Sequence, residues 1–276
     1  MENSPTWIAR EIESQMGPRR RGEDLEDYWD RPLAGIAAAA DPLFHHLREV
    51  VTPDHALPTE LLPGARSVLV YFLPFKRFLA KENNSQPFFA ARSWAEAYVA
   101  TNRLIDAVNR HLQRRLAEAG HRTATTPATH NFDPTRLVSR WSHKHIAFIA
   151  GLGTFGHHHL LITPAGSCGR LGSLVTTLEL PAGNRPLEEL CLSRAGRPCH
   201  ACVAKCRYGA LHTDHFDRHA CYRQLLRNDE HHGDLPLVDV CGKCSCEVPC
   251  SHGNPVADGN GGAEVMVKRD PSSDPL

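Results

Sequence analysis

Nine of the ten cysteines fall between Cys191 and Cys250, and none occurs before Cys168. The core of the signal is Cys199-x2-Cys202-x3-Cys206, followed by Gly209-Ala210-Leu211. Cys221 stands alone, Cys241-x2-Cys244 follows, and Cys246 and Cys250 end the series. Without a secretory leader, such a set reads as thiolates kept reduced, not as a disulfide framework. Thiolates are soft ligands, suited to zinc, copper(I) and iron–sulfur clusters.

The spacing favours iron and sulfur. In bacterial-type ferredoxins the run is C-x2-C-x2-C-x3-C, and the fourth cysteine serves the other cluster. Cys199, Cys202 and Cys206 hold its last three places. The first place falls on Gly196, which has no ligand atom; Cys191 is the substitute, with Gly196 letting the loop bend. Two [4Fe–4S] clusters need eight thiolates, and crossed pairing supplies them. One cluster takes Cys191, Cys199, Cys202 and Cys250; the other takes Cys206, Cys221, Cys241 and Cys244. Cys168 and Cys246 are left over; Cys168 reads as a small buried residue, with contact to a cofactor as the alternative. Three alternatives stay open: a structural zinc site built on the C-x2-C pairs, a single cluster with spare thiols, and Cys246 in place of Cys250 as the closing ligand. Two departures bear on loop geometry. Arg207 stands where proline follows the fourth cysteine, and Pro249 precedes Cys250.

The elements that must position these thiols begin upstream. Ser67 to Leu73 is an apolar run after Pro63-Gly64 and reads as a buried strand. From Ser93 to Ala119 apolar residues recur at three-and-four spacing, predicting a long amphipathic helix stopped by Gly120. Pro134 to Ala150 shows similar spacing and predicts a second helix, N-capped by Asp133 and ended by Gly151-Leu152-Gly153. His159 to Thr163 and Gly172 to Leu180 read as strands. The fold class is therefore α+β. Pro181 to Pro186 is turn chemistry and reads as a linker. The chain divides into residues 1–185, an α/β domain for cofactor or substrate; 186–252, a small ferredoxin-like domain; and 253–276, a disordered tail.

The order of Ser142 to Gly156, Leu160-Leu161-Ile162-Thr163, Gly166-Ser167 and Leu171 to Pro181, ahead of the cysteine segment, closely resembles epoxyqueuosine reductase. That family has a helix ending in A-G-L-G-x-x-G, an L-L-I strand, a G-S turn, an L-G-x-x-x-T strand and a double-cluster segment. Reductive dehalogenases show a more distant version. The resemblance covers residues 60 to 250. It implies a nitroreductase-like α/β domain carrying a cobalamin beside one cluster, with electrons passing from clusters to cobalt to substrate. It places Gly151, Gly153, Gly156 and His157 against that cofactor; glycines permit close approach and positive φ, though a helix C-cap and tight turn would use them equally. No histidine lies in a D-x-H-x-x-G context, so the cobalt is expected to lack a protein imidazole.

The departures from the family matter. His157-His158-His159 replaces a Lys or Arg followed by Asn. The acidic residue of the family's V-D-T-x-P element has no counterpart in Leu137-Val138-Ser139-Arg140, and the Asp of its T-D-L-P-L element is lost at Thr177. The helical repeats that follow the cluster segment in full-length members do not follow Cys250 here. Proton donors are therefore sought among Asp133, His143, His145 and His157, histidine because it titrates near neutrality.

The 31 basic and 31 acidic residues cancel, so no basic excess supports a tRNA substrate. No apolar run approaches the ~20 residues that span a bilayer, and no signal-peptide pattern opens the chain; the expectation is a soluble, cytoplasmic protein. Its expected partners are an electron donor (ferredoxin, flavodoxin or a reductase) and a small-molecule or modified-nucleoside substrate. The leading reading is an iron–sulfur oxidoreductase. The alternative is a ferredoxin-type electron carrier without corrinoid; a storage or scaffold role conflicts with the ordered spacing.

Overall fold

The computed structural model describes residues 4–16, 27–127 and 132–257. In chain order these form α1 (Pro5–Glu13), β1 (Leu33–Ala38), α2 (Leu43–Val50), α3 (Pro58–Leu61), β2 (Ser67–Pro74), α4 (Arg77–Ser85), α5 (Arg92–Glu118), β3 (Thr123–Thr125), β4 (Phe132–Asp133) and β5 (Val138–Ser139). There follow α6 (His143–Ile149), β6 (Thr154–Phe155), β7 (Leu161–Ile162), β8 (Gly169–Thr176), α7 (Ala201–Lys205), α8 (Arg218–His231) and a 3-10 turn at Lys243–Ser245.

The mixed α+β character is as the sequence predicts. An antiparallel sheet of order β1-β2-β8-β3 is the platform. All eight residues of β2 are buried, because helices cover both faces of the sheet. Alternation along a strand divides its side chains. Leu69, Tyr71 and Leu73 join the core under α1, α4 and α5, while Val68 and Val70 join the core under α2 and α6. The long helix α5 buries Leu104, Ile105, Val108, Leu112 and Leu116. It ends at Gly120, whose φ of 81° lets His121 N–H return to Leu116 O at 2.9 Å.

The predicted helix from Pro134 is shorter than expected. Asp133 Oδ1 does accept backbone N–H bonds, from Thr135 at 2.8 Å and Arg136 at 3.0 Å. Those bonds close a turn, not a helix. Leu137 takes a left-handed conformation (φ 54°), and Val138 returns to pair with Asp133 as β5. Helix α6 starts only at His143. The strand expected over Gly172 to Leu180 begins at Gly169 and ends at Thr176.

The segment after residue 185 is fastened to α4 and α5. Asn83, fully buried, donates to Cys241 O at 2.8 Å. The Lys243 ammonium donates to Asn83 O and to Gln86 O. Asn228 Oδ1 accepts from Ala90 N, His232 bonds Ala90 O, and Tyr98 Oη donates to Asp239. The stretch read as a linker is pinned too, since Gly183 N donates to Ile36 O of β1. Of the tail, residues 253–257 form a turn in which Arg197 reaches Val256 O; residues 258–276 lie outside the described residues.

Candidate cluster and cofactor site

The thiols fall into two groups. Cys191, Cys199, Cys202 and Cys250 line one small cavity with His157, His158 and Pro255. Burial, reinforced by Cys191 and Cys199, pushes the Cys202 thiol up to about 11. Burial, reinforced by Cys191 and Cys202, pushes Cys250 up to about 12. The loop from Cys191 turns back at Gly196 (φ 75°), and α7 carries Cys202.

Cys206, Cys221, Cys241 and Cys244 line a second, larger cavity of about 440 Å³. Asp217 caps α8 by accepting from Ala220 N at 2.9 Å, which sets Cys221 on the first turn. Leu211 N donates to Cys206 Sγ at 3.3 Å. Burial raises Cys221 to about 11 and Cys241 to about 12, and raises Cys244 well above the ordinary thiol value; the neighbouring thiols add to each shift. Such thiols ionise when a cation arrives to compensate them.

Cys168 and Cys246 are fully buried and belong to neither group. Cys168 Sγ donates to Ser245 O at 3.0 Å, and Cys246 Sγ accepts from Asn83 Nδ2 at 3.3 Å, inside the core beneath α4 and α5. The thiol that joins Cys191, Cys199 and Cys202 is thus Cys250. Among the described residues no three His, Cys, Asp or Glu side chains converge closely enough to hold a single metal ion.

The larger cavity is apolar and aromatic, with Phe72, Trp94, Tyr98, Leu160 and Phe216 among its walls. Lys144 and Arg170 also line it, and no Asp or Glu does. The Arg170 guanidinium stacks on the Tyr98 ring at 4.1 Å. Three buried donors in these walls have no hydrogen-bond partner among the described residues: Trp94 Nε1, Tyr208 Oη and Arg170 Nη1. Buried donors are rarely left so; this set suits an acceptor-rich guest, such as the sulfurs of a cluster or the polar edge of a second cofactor. A volume of this order is that of a small-molecule site. Sequence reasoning did not find Trp94, Tyr208 or Arg170, because nothing local marks them; it also passed over His158, whose signal was the histidine run itself.

The proposed proton donors are dispersed. His143 lines the large cavity, but both its nitrogens are engaged, Nδ1 with Ser173 Oγ at 3.0 Å and Nε2 with Pro127 O at 3.1 Å. Burial lowers it to about 4. His145 bonds Ser142 Oγ at 2.7 Å, lies against Phe155 and is lowered by burial to about 3. Asp133 faces a separate open groove beside Arg136 and Arg140, its carboxyl held low by the backbone N–H groups of Arg136 and Thr135. His157 lines the small cavity, not the large one, and Nε2 bonds His212 O at 2.8 Å.

The three glycines face the chain's own atoms. A Cβ on Gly151 would meet Asn184 O at 2.4 Å, on Gly153 Ile162 O at 1.9 Å, and on Gly156 the His158 ring at 2.4 Å. Their smallness lets α6, β7 and the 157–159 turn close on one another.

No family model and no curated protein matches this chain. Solved structures do. Epoxyqueuosine reductase from Bacillus subtilis superposes with a TM-score of 0.55 at 17% identity, over 90% of this chain and 65% of that one. An epoxyqueuosine reductase solved with an epoxyqueuosine-modified tRNA stem loop gives 0.55 at 18% identity, over 90% and 65%. A catabolic reductive dehalogenase gives 0.54 at 14% identity, over 91% and 36%. The chain therefore has the fold of the epoxyqueuosine reductases, which reductive dehalogenases share more distantly, and spans about two thirds of the length of the former.

Proposed function

We propose that this chain is an iron–sulfur oxidoreductase that passes electrons through two [4Fe–4S] clusters to a cobalamin and on to a small-molecule or modified-nucleoside substrate. The observation that carries the reading is the division of eight thiols into two groups of four, the second opening onto a cavity large enough for a reacting partner. Eight thiols in two sets of four, with Cys199, Cys202 and Cys206 spaced as in bacterial-type ferredoxins, suit two cubanes better than a lone four-ligand zinc. The domain division expected from sequence, nitroreductase-like then ferredoxin-like, is part of the same proposal.

A corrinoid bound in the larger cavity would supply a strongly reducing metal centre next to the second cluster. The chain's own residues have separate tasks. Leu211 N–H already donates to the Cys206 sulfur; Trp94 and Tyr208 would add donors to the second cluster or its neighbour. The aromatic walls exclude water. Lys144, whose ammonium burial lowers to about 8, is the candidate proton donor of the cavity, since His143 is neutral at neutral pH. A soluble electron donor such as ferredoxin, flavodoxin or a reductase would feed the clusters. The balanced charge gives no support for tRNA as the substrate.

Anaerobic reconstitution tests both halves. The first expected result is about eight irons and eight sulfides per chain, four of each per cubane. Four irons, or zinc instead of iron, overturns the two-cluster reading. Cob(II)alamin added anaerobically is expected to change its paramagnetic resonance spectrum from a nitrogen-ligated to a base-off pattern. An unchanged spectrum overturns the corrinoid half and leaves an electron carrier.

A further inference from the structure

The ring of His158 forms part of the wall of both cavities. It is only 4% exposed. Its Nδ1 accepts from Leu160 N–H at 3.2 Å, which leaves the proton on Nε2. Nε2 lies 3.4 Å from Cys250 Sγ. Gly156 makes the seat, because a Cβ there would enter the ring at 2.4 Å from Cε1. The backbone therefore fixes the tautomer and the glycine fixes the ring plane, and the one remaining N–H points at a thiol.

We propose that His158 is a positioning residue whose Nε2–H donates to the Cys250 thiolate and raises the reduction potential of the cluster that Cys250 holds. This rests on the reading of Cys191, Cys199, Cys202 and Cys250 as one cluster's ligands. A hydrogen bond to a ligand sulfur withdraws charge from the iron, so the reduced, more negative cluster gains more than the oxidised one. Burial strengthens that bond, because no water competes for the donor. The imidazole stays neutral throughout and no proton moves; the cluster simply takes its single electron at a less negative potential. The second thiol group has no contact of this kind with His158, so the residue sets the offset between the two clusters and hence where a lone electron rests.

The test is a redox titration of the full chain, anaerobically loaded and followed by paramagnetic resonance. In His158→Leu, with iron content unchanged, one midpoint potential should fall and the other stay. His158→Gln, whose amide nitrogen reaches close to the place of Nε2, should restore much of the fall. Unchanged midpoints in His158→Leu overturn the proposal, and so does a His158→Gln that behaves as His158→Leu, since that would mark a loss of fit alone. In the unsubstituted protein, 15N-labelled histidine should give a weak nitrogen coupling on one reduced cluster; its absence overturns the proposal even where the variants lose iron. Iron for a single cluster in the unsubstituted chain overturns the ligand reading beneath it, a result distinct from the others.

Discussion

The His143 ring is held by a chain of donors. Trp141 Nε1 donates to Ser173 Oγ at 2.9 Å, the Ser173 hydroxyl donates to His143 Nδ1, and His143 Nε2–H donates to Pro127 O. A ring so committed has no proton to lend, and its cost in acid can be measured. His143 falls to about 4 and His145 to about 3, both through burial, against 6.5 for an exposed histidine. Between those values the unfolded chain binds protons that the folded one refuses. Stability is therefore full above pH 6.5 and declines as pH drops toward 4, by about 1.4 kcal/mol per pH unit from each ring. Urea midpoints measured at pH 7 and pH 5 should show the decline, and the double variant His143→Gln, His145→Gln should lessen it without removing it, since burial also lowers His158 to about 3 and His159 to about 4; an equal decline in that variant would assign the acid sensitivity elsewhere. At this scale the cysteines were legible in sequence because their spacing is local: short loops bring Cys199 and Cys202 together wherever the chain folds. The unpartnered donors Trp94, Tyr208 and Arg170 were not. They come from α5, the loop after α7, and β8, and only the sheet and the long helix bring them to one cavity.

The turn that links α6 to β7 shows how one glycine-rich element serves two readings. Gly153 has no positive φ, yet its missing Cβ would lie 1.9 Å from Ile162 O. Gly196 is the reverse case, with φ at 75° and nothing within 4 Å. Gly196→Ala should therefore cost about 1 kcal/mol, for left-handed backbone alone, whereas Gly153→Ala should cost about 3 kcal/mol or more, because two backbone segments must separate. Denaturant unfolding of the two variants decides it, and equal losses would show that the contact at Ile162 yields easily. The long helix α5 was legible because its apolar stripe and its glycine stop are both written locally. The hairpin β4–β5 was not. Asp133 satisfies backbone N–H groups in a tight turn with the same carboxylate that would cap a helix, so the cap signal alone does not say which follows.

On the scale of the whole molecule, the proposed division into an α/β part and a cysteine-bearing part rests on a plain feature of the sequence, that no cysteine precedes Cys168. The contacts between the two stretches are not legible there, because they run through single buried residues. Asn83 on α4 bonds Cys241 O, Cys246 Sγ, Ala91 N and, through its carbonyl, Lys243. Cys246 lies in the same core as Leu69, Trp94 and Ile105. Unfolding the later segment alone would strand the Lys243 ammonium's acceptors and open that core, so the two parts should unfold as one cooperative unit despite their separate chemistry. The chain supplies a clean assay. All four tryptophans, Trp7, Trp29, Trp94 and Trp141, belong to the earlier part, while the visible absorbance of loaded clusters would report the later one. Thermal unfolding of the reconstituted protein should give coincident transitions by the two signals. Cys244→Ser, which removes one ligand of the second group, should lower the tryptophan transition although no tryptophan lies in that segment. Cluster absorbance lost well before any change in tryptophan emission would show that the later segment is held by its cofactors alone, and that the Asn83 contacts transmit nothing to the sheet.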